Sequence, residues 1–302
     1  MIRRSDGIPT YNFVVVIDDI TMNVNTILRG DDHLSNTPKQ IQIYNALNEP
    51  LPEFGHLPLV LGKDKSRLSK RHGAMSVIAY RDMGYLPDAM LNYFVRLGWS
   101  HGDQEFFTRE DLIGKFSIDN IGKSAGVFDT DKLLSLNTEH IKTADPKSLM
   151  PHLLPFLKDR GVNTGKGEFL DKVIRTLNTR SKTLNEMADA ALFYYQDAIS
   201  YEAKAAKKFL KPAVAETIML LKNKIEMLDT FDTKNLEGVF KAVMEETDLK
   251  FGKIAQPVRV ALTGKTASPG IFEIIEILGR DKVIARFDAA FTFIREKEAS
   301  QA

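Results

Sequence analysis

At residues 11–40 the sequence reads YNFVVVIDDITMNVNTILRGDDHLSNTPKQ, in which apolar runs alternate with polar turns. The apolar run at 11–19 predicts a strand that is buried on both faces. A second short strand is predicted at 24–28, and it ends in the polar stretch RGDDH at 29–33. Because ligands bind at the carboxyl ends of parallel strands, this polar stretch is a candidate binding region.

The residues after this stretch predict a helix and a third strand. Thr37 is predicted to be the N-cap, Pro38 occupies the first helical position, and the helix is predicted to run to about Asn48. Residues 54–61 predict the third strand. Strands that alternate with a helix indicate a parallel α/β sheet.

From Val77 onward the apolar spacing becomes helical. The overall prediction is therefore an α/β region followed by an all-α region, with a break near 140–145. The predicted helices span 77–83, 86–97, 112–116, 130–137, 146–160, 168–178, 182–200, 203–227, 233–248, 253–263 and 271–297.

The composition excludes several classes of protein. The chain has 302 residues, of which 43% are hydrophobic and 27% charged, as in an ordinary globular protein. The absence of cysteine excludes disulfides, thiol catalysis and cysteine-ligated zinc, and it is compatible with the cytoplasmic location that we expect. The aliphatic run at 13–17 is too short to span a membrane. The histidines show no metal-binding spacing, so we expect no metal site.

The net charge of +1 conceals two basic clusters. Residues 142–182 contain nine Lys and Arg against four Asp and Glu, and residues 204–224 contain six against one. Such clusters are typical of a polyanion-binding surface. For either cluster taken alone, a solvated helix face is the favoured interpretation.

A basic loop carries the most specific chemical signal. It has the sequence KDKSRLSKRHG at 63–73, in which Lys, Arg and His alternate with small hydroxyls. A loop of this kind can neutralise a triphosphate and stabilise the charge that develops on leaving pyrophosphate. From composition alone, an ordinary basic surface loop explains it equally well.

Within this loop, KSRLSKR at 65–71 resembles the KMSKS signature of class I aminoacyl-tRNA synthetases, in the form found in glutamyl-tRNA synthetases. The resemblance continues in order along essentially the whole chain. The other matching segments are 6–13, 16–19, 28–40, 54–59, 93–100, 128–133, 180–186, 256–264 and 268–273.

The resemblance implies a glutamate pocket. Arg29 matches the arginine that binds the glutamate carboxylate, for which a guanidinium fork is well suited. Tyr11 and Asp32 match other glutamate contacts, and Asp32 and His33 match positions beside the amino acid and the adenosine. Without the family, Arg29 would be assigned to an ion pair with Asp18, Asp31 or Asp32, and Tyr11 to the edge of the core.

The resemblance also implies an ATP site. Leu68, Ser69 and Lys70 match loop positions that contact ATP, with Lys70 at the phosphates. Arg67 replaces the first lysine of the final tetrad and preserves its charge. We therefore expect Lys70 and Arg67 to be the catalytic residues, with ATP accompanied by Mg²⁺ and no zinc in the chain.

The helical half is similar to the anticodon-binding region of the family. Arg180 aligns with an arginine that favours cytosine at the first anticodon position, and Arg can stack on a splayed base or bond its edge. An exposed helix charge is the alternative for Arg180. Further anticodon contacts are implied at Arg259, Ser268, Pro269 and Ile271.

The implied architecture has three parts. Residues 1–62 would be the C-terminal part of a Rossmann-like catalytic domain, and 63–142 the loop and stem-contact region. Residues 143–302 would be an α-helical anticodon-binding bundle, with a subdomain break near 200–230. The implied partners are L-glutamate, ATP and tRNA(Glu), with no membrane and with the chain as a monomer.

The first class I signature, HIGH, does not occur in these 302 residues. We therefore expect an N-terminally truncated chain that cannot catalyse the reaction alone and that lacks an N-terminal catalytic half. A non-catalytic tRNA-binding fragment, half of a split enzyme and a truncated gene model are the alternatives.

Overall fold

The computed structural model describes residues 2–69, 76–165 and 167–299. The chain divides into two compact units, residues 1–137 and 138–302. The first unit begins with strands and helices, and the described part of the second is built from helices. This confirms the predicted fold class, α/β followed by all-α.

The first unit contains a two-stranded parallel sheet, as the alternation of strands and helix predicts. Arg29 in the first strand lies opposite His56 in the second. In chain order the elements are α1 (Tyr11–Thr21), β1 (Thr26–Gly30), α2 (Thr37–Leu47), β2 (Glu53–Leu57), α3 (Val77–Asp82), α4 (Pro87–Arg96), α5 (Arg109–Lys115) and α6 (Thr130–Thr143).

The strand predicted at 11–19 is wrong, because this segment forms α1. Phe13, Val16, Ile17 and Ile20 follow a spacing of three, one and three residues, which places them on one helical face. Val16 is fully buried and α1 packs against α2. Burial of this face therefore outweighs the strand preference of the three consecutive valines.

The two strands and α2 lie close to their predicted positions. The strand predicted at 24–28 is shifted by two residues, and that predicted at 54–61 ends earlier, at Leu57. Pro58 follows immediately, and it has no backbone N–H to donate to a neighbouring strand. Thr37 is the first residue of α2 and not its N-cap, so its hydroxyl is available for other contacts.

A compact aromatic core lies beneath the predicted ATP loop. Tyr80, Tyr93 and Phe128 form its centre, with the rings of Tyr93 and Phe128 packed edge to face at 5.3 Å. Leu68, from the loop itself, packs against this core. The loop is therefore anchored by apolar contact at the position where it was predicted to contact ATP.

The second unit is a set of packed helices. The predictions at 203–227 and 271–297 were each wrong in joining two helices, because Pro212 interrupts the first and Gly279 the second. Gly279 has a φ of 79°, a conformation that favours glycine. The helices are α7 (Pro146–Asp159), α8 (Gly167–Leu177), α9 (Leu184–Tyr195), α10 (Ala203–Phe209), α11 (Ala215–Glu226), α12 (Thr233–Thr247), α13 (Phe251–Thr263), α14 (Ile271–Leu278) and α15 (Arg280–Ala299).

A buried arginine joins three of these helices. Arg286 of α15 is 1% exposed and donates hydrogen bonds to the backbone oxygens of Leu262, Phe193 and Gln196. These carbonyls lie at the C-terminal ends of α13 and α9, where the helix dipole is negative. Burial lowers the pKa of Arg286 to about 10. Within the described part of the chain, no helix is long and apolar enough to cross a bilayer.

Candidate functional site

Arg29 is held at the carboxyl end of β1 by two side chains of α2. Its Nη2 donates to Thr37 Oγ1 and to Gln40 Oε1, each at 2.8 Å. The guanidinium carbon also lies 5.7 Å from the centre of the Phe54 ring. These hydrogen-bonding partners are neutral, in place of the ion pair with Asp18, Asp31 or Asp32 that composition alone suggested.

The electrostatic surroundings leave the charge of Arg29 only partly compensated. Burial raises the pKa of the Asp19 carboxyl, and the charge of Arg29 opposes that rise. The Nε of Arg29 is buried and has no hydrogen-bond partner among the described residues. A half-buried guanidinium with neutral partners favours binding of a carboxylate from outside the chain.

Tyr11 and His33, both predicted to lie at the glutamate site, are close to each other. The Tyr11 hydroxyl is 3.5 Å from His33 Nδ1, and the ring centres are 6.0 Å apart. Tyr11 is 53% exposed, so its predicted alternative at the edge of the core does not hold. His33 follows β1 in a short 3-10 turn, which brings it to the same end of the sheet as Arg29.

A hydrogen bond connects His56 to the partner of Arg29. His56 Nε2 lies 2.9 Å from Thr37 Oγ1, the atom that also accepts from Arg29. From the sequence, His56 had no predicted binding role, and Thr37 only that of a helix cap. Both side chains support the predicted binding arginine, although the resemblance, which covers both positions, gave neither of them a binding role.

An ion pair joins the predicted glutamate and ATP regions. Arg67 Nη2 is 3.2 Å from Asp32 Oδ2, with the two side chains 68% and 31% exposed. Asp32 therefore lies beside the loop that was predicted to contact ATP. Exposed ion pairs contribute little to stability, so the value of this pair is in its position.

The described part of the loop has a fixed backbone. The Asp64 carboxylate accepts from the Ser66 N–H at 2.9 Å, and Lys65 has a φ of 61°. The Leu68 N–H donates to the Val60 oxygen at 2.9 Å. Ser69 is the last residue described before the gap. Lys70, the main predicted phosphate contact, lies outside the described residues.

Lys63 anchors the start of the loop, a role that the sequence did not reveal. Its Nζ is 3.3 Å from Asp129 Oδ1 and 3.2 Å from Asp131 Oδ2. Hydrogen bonds to Asp131 and then to Asp129 raise the pKa of Lys63. The pKa of Asp129 is lowered, chiefly because it accepts from the Asp131 N–H. Lys63 is thus occupied by carboxylates, whereas the sequence placed it among the loop's candidate anion ligands.

In the second unit, Arg259 organises the predicted anticodon contacts. Its Nη1 donates to the Pro269 oxygen at 2.7 Å and to both the backbone and side-chain oxygens of Ser268. Burial, and then the charge of Arg180, lower the pKa of Arg259. Arg180 is exposed, and its positive charge is close enough to act on the guanidinium of Arg259.

Ile271 differs from the other predicted anticodon residues. Its side chain is only 4% exposed at the start of α14, where it belongs to the core. Pro269 is also buried, and its backbone oxygen is taken by Arg259. These two side chains are therefore placed to shape the loop. A cavity of about 340 Å³ lies beside Ser268 and Pro269 and is also lined by Asp189, Gln196, Thr263 and Lys265.

Two family models match consecutive parts of the chain. Residues 1–135 match the catalytic domain of class I (E and Q) tRNA synthetases, and residues 148–291 match an anticodon binding domain. The fold and sites therefore define a class I aminoacyl-tRNA synthetase chain with a helical anticodon-binding region.

Individual relatives narrow the family further. The chain is 60% identical to the glutamate–tRNA ligase of Desulfosudis oleivorans over 98% of its own length, and 53% identical to that of Geobacter sulfurreducens over the same share. The crystal structure of a glutamate–tRNA ligase from Elizabethkingia meningosepticum, in complex with its amino acid, superposes with a TM-score of 0.84 at 26% identity. The superposed region includes 97% of this chain and 62% of the Elizabethkingia meningosepticum chain.

The chain belongs to the glutamate–tRNA ligase family. It spans 63% of the Desulfosudis oleivorans enzyme and 64% of the Geobacter sulfurreducens enzyme.

Proposed function

We propose that this chain supplies the glutamate pocket, the ATP loop and the anticodon-binding region of an ATP-dependent glutamate–tRNA ligase. The observation that carries the proposal is the Arg29 guanidinium, held by Thr37 and Gln40 without a bonded carboxylate among the described residues. Because both hydrogen-bonding partners are neutral, the charge of Arg29, which also acts on the Asp19 carboxyl, is only partly compensated and can attract the carboxylate of glutamate. Tyr11, His33 and Asp32 surround the same end of the sheet.

In the proposed first step, a glutamate carboxylate oxygen attacks the α-phosphate of ATP. This forms glutamyl-adenylate and releases pyrophosphate. Lys70 would stabilise the charge that develops on pyrophosphate, and Arg67 would hold the loop beside Asp32. Mg²⁺ would enter with ATP, since magnesium is commonly bound through substrate phosphates.

In the second step, the terminal ribose hydroxyl of tRNA(Glu) attacks the carbonyl carbon of the adenylate. The ester forms as AMP leaves. Catalysis then depends on positioning and charge stabilisation, with no protein nucleophile. We assign anticodon reading to Arg180 and the loop that Arg259 supports. We propose that the chain acts as a monomer in the cytoplasm.

We further infer that these 302 residues require the HIGH-bearing part of a ligase for activity. The experiment measures glutamate-dependent ATP–pyrophosphate exchange, with tRNA present, by the chain alone and with an added segment of the Desulfosudis oleivorans relative from the part that this chain does not match. Exchange only in the mixture is expected. Exchange by the chain alone would contradict the requirement, and none in either sample would contradict the ligase assignment.

Substitution of Arg29 tests the pocket itself. In the active mixture, Arg29→Lys should raise the KM for glutamate roughly 10–100-fold, because a single ammonium cannot replace a guanidinium fork. The KM for ATP should stay unchanged. An unchanged glutamate KM would remove Arg29 from the pocket.

A second candidate function is a tRNA-binding module without catalysis. It is favoured by the arrangement of Arg180, Arg259 and Ser268 within the second unit, which needs no part of the first. Pull-down of total tRNA by the 302-residue chain at fixed salt, followed by sequencing, tests it. Enrichment of tRNA(Glu) without exchange activity in any mixture would favour this function.

A further inference from the structure

Gln40 is a buried polar residue to which neither the sequence nor the family resemblance gave a role. It lies on α2 and is 1% exposed. Its Oε1 accepts from Arg29 Nη2 at 2.8 Å, and its Nε2 donates to Asn12 Oδ1 at 3.0 Å. Gln40 therefore connects β1, α2 and α1 through one amide.

The direction of these hydrogen bonds follows from the chemistry of the groups. A guanidinium has only donors, so Gln40 must present its oxygen to Arg29. The amide nitrogen of Gln40 is then directed to Asn12, which must present its own oxygen. If the Gln40 amide were reversed, its N–H donors would face those of Arg29 and its oxygen would face the oxygen of Asn12. If the Asn12 amide were reversed, its N–H donors would face those of Gln40. The orientation of the Arg29 guanidinium is thus fixed through Gln40 as far as α1.

The amides of Gln40 and Asn12 are uncharged, and this is as important as the geometry of their hydrogen bonds. A carboxylate at position 40 could hold Arg29 equally well, but it would compensate the charge of the guanidinium. An amide holds the guanidinium in place and leaves the charge available. Burial of Gln40 strengthens the effect, because water cannot substitute for the amide if it is removed.

We propose that Gln40 is a positioning residue for glutamate binding, and that Asn12 acts through it. The inference rests on the proposed function, since it assumes that Arg29 binds the substrate carboxylate. Thr37 provides the second contact to the same Nη2, so loss of Gln40 frees Arg29 only in part. We therefore expect weaker glutamate binding without loss of the fold.

The first experiment needs no catalytic activity. Rotation about the Cζ–Nε bond of Arg29 is measured by guanidinium NMR in the 302-residue chain, with the signal assigned by its loss in Arg29→Lys. Gln40→Met should accelerate this rotation severalfold, while Gln42→Met, the same exchange at an exposed position of α2, should not. Unchanged rotation in Gln40→Met would overturn the inference, whatever reaction the protein performs.

The second experiment measures kinetics in the active mixture described above. Gln40→Met should raise the KM for glutamate roughly tenfold and leave the KM for ATP unchanged. Gln40→Glu should raise the glutamate KM further, because its charge compensates Arg29. A glutamate KM in Gln40→Glu equal to that of wild type would overturn the argument from neutrality.

A double-mutant cycle tests the role of Asn12. Asn12→Ala should raise the glutamate KM in the wild-type background and have no further effect in Gln40→Met, because it acts through the lost amide. Additive effects would overturn the proposed coupling. If Gln40→Met does not fold, the Arg29 rotation rate and the glutamate KM of Asn12→Ala alone still test whether the amides position Arg29. If wild type itself shows no glutamate-dependent exchange, the proposed function fails, while the NMR experiment still decides whether Gln40 positions Arg29.

Discussion

The ion pair between Asp32 and Arg67 is a direct contact between the predicted glutamate and ATP regions. The two atoms lie 3.2 Å apart, and neither side chain is deeply buried. The pair therefore contributes at most about 1 kcal/mol to stability. Its consequence is geometric, because it fixes the loop that follows Lys65 relative to the end of β1.

Loss of this pair should affect ATP use and not folding. We expect Asp32→Asn and Arg67→Gln each to raise the KM for ATP severalfold in the active mixture, with little change in melting temperature. The double variant should be no worse than the more severe single variant, since both changes remove one contact. Additive increases in KM would show that the two side chains act separately.

At the level of single residues, the sequence identified the groups that face ligands better than those that support them. Tyr11, Arg29, Asp32 and His33 were found because they belong to a family motif. Thr37 and Gln40 were missed because their value depends on which β1 side chain they contact. Both lie in the segment 28–40 that matches the family, but the resemblance gave neither of them a binding role; their separation of three residues on a predicted helix places them on one face.

At the level of elements, the sequence predicted the order and parallel pairing of the strands but not the nature of α1. Three consecutive valines favour a strand locally, and only the packing of α1 against α2 identifies the buried face. The helices interrupted at Pro212 and Gly279 were predicted as continuous because apolar spacing persists across both breaks. The proline and the glycine themselves were the sequence signals for these breaks, and in the structure Gly279 has a positive φ.

One connection depends on the absence of a side chain. A Cβ at Gly126 would lie 2.0 Å from the Leu97 oxygen, a backbone atom that cannot move alone. Gly126 also accepts from the Leu61 N–H at 2.8 Å, just before the ATP loop. The segments around Leu61, Leu97 and Gly126 therefore approach closely, and this packing supports the loop.

Substitution of this glycine should destabilise the first unit. We expect Gly126→Ala to cost about 1–3 kcal/mol, because the backbone must shift to admit the methyl group. Gly114→Ala is the matched control: nothing lies within 4 Å of its Cβ, and it should stabilise α5 by roughly 0.5–1 kcal/mol. Chemical denaturation measures both. Equal effects of the two changes would show that the contact at Leu97 is not tight.

At the level of the whole chain, the second unit contains tyrosines that resist ionisation. Burial raises the pKa values of Tyr194, Tyr195 and Tyr201 to about 12, from an ordinary value of 10.0. The folded state therefore holds these protons over a pH range in which the unfolded state releases them. The stability that they contribute is complete below pH 10 and is lost as the pH rises towards 12.

The expected result is alkaline unfolding of the second unit. Each of the three tyrosines should lower the free energy of unfolding by up to about 1.4 kcal/mol per pH unit in this range. Denaturation followed by circular dichroism between pH 9 and 12 measures the slope. Tyr195→Phe should reduce it, because the Tyr195 hydroxyl is buried without a partner among the described residues. A stability that stays constant to pH 12 would contradict the burial of these hydroxyls.

The two arginines of the proposed anticodon region should respond differently to substitution. Arg259 donates hydrogen bonds to Ser268 and Pro269, so Arg259→Ala should lower the melting temperature as well as tRNA affinity.

Arg180 is exposed, so Arg180→Ala should leave folding unchanged and reduce the preference for tRNA(Glu) over other tRNAs roughly 10–100-fold. Because a base contact releases no counterion, the dependence of affinity on salt should also stay unchanged for Arg180→Ala. Filter binding at several salt concentrations distinguishes a base contact of Arg180 from a phosphate contact. A salt slope reduced by about 0.7–0.9 with preserved preference would assign Arg180 to a phosphate.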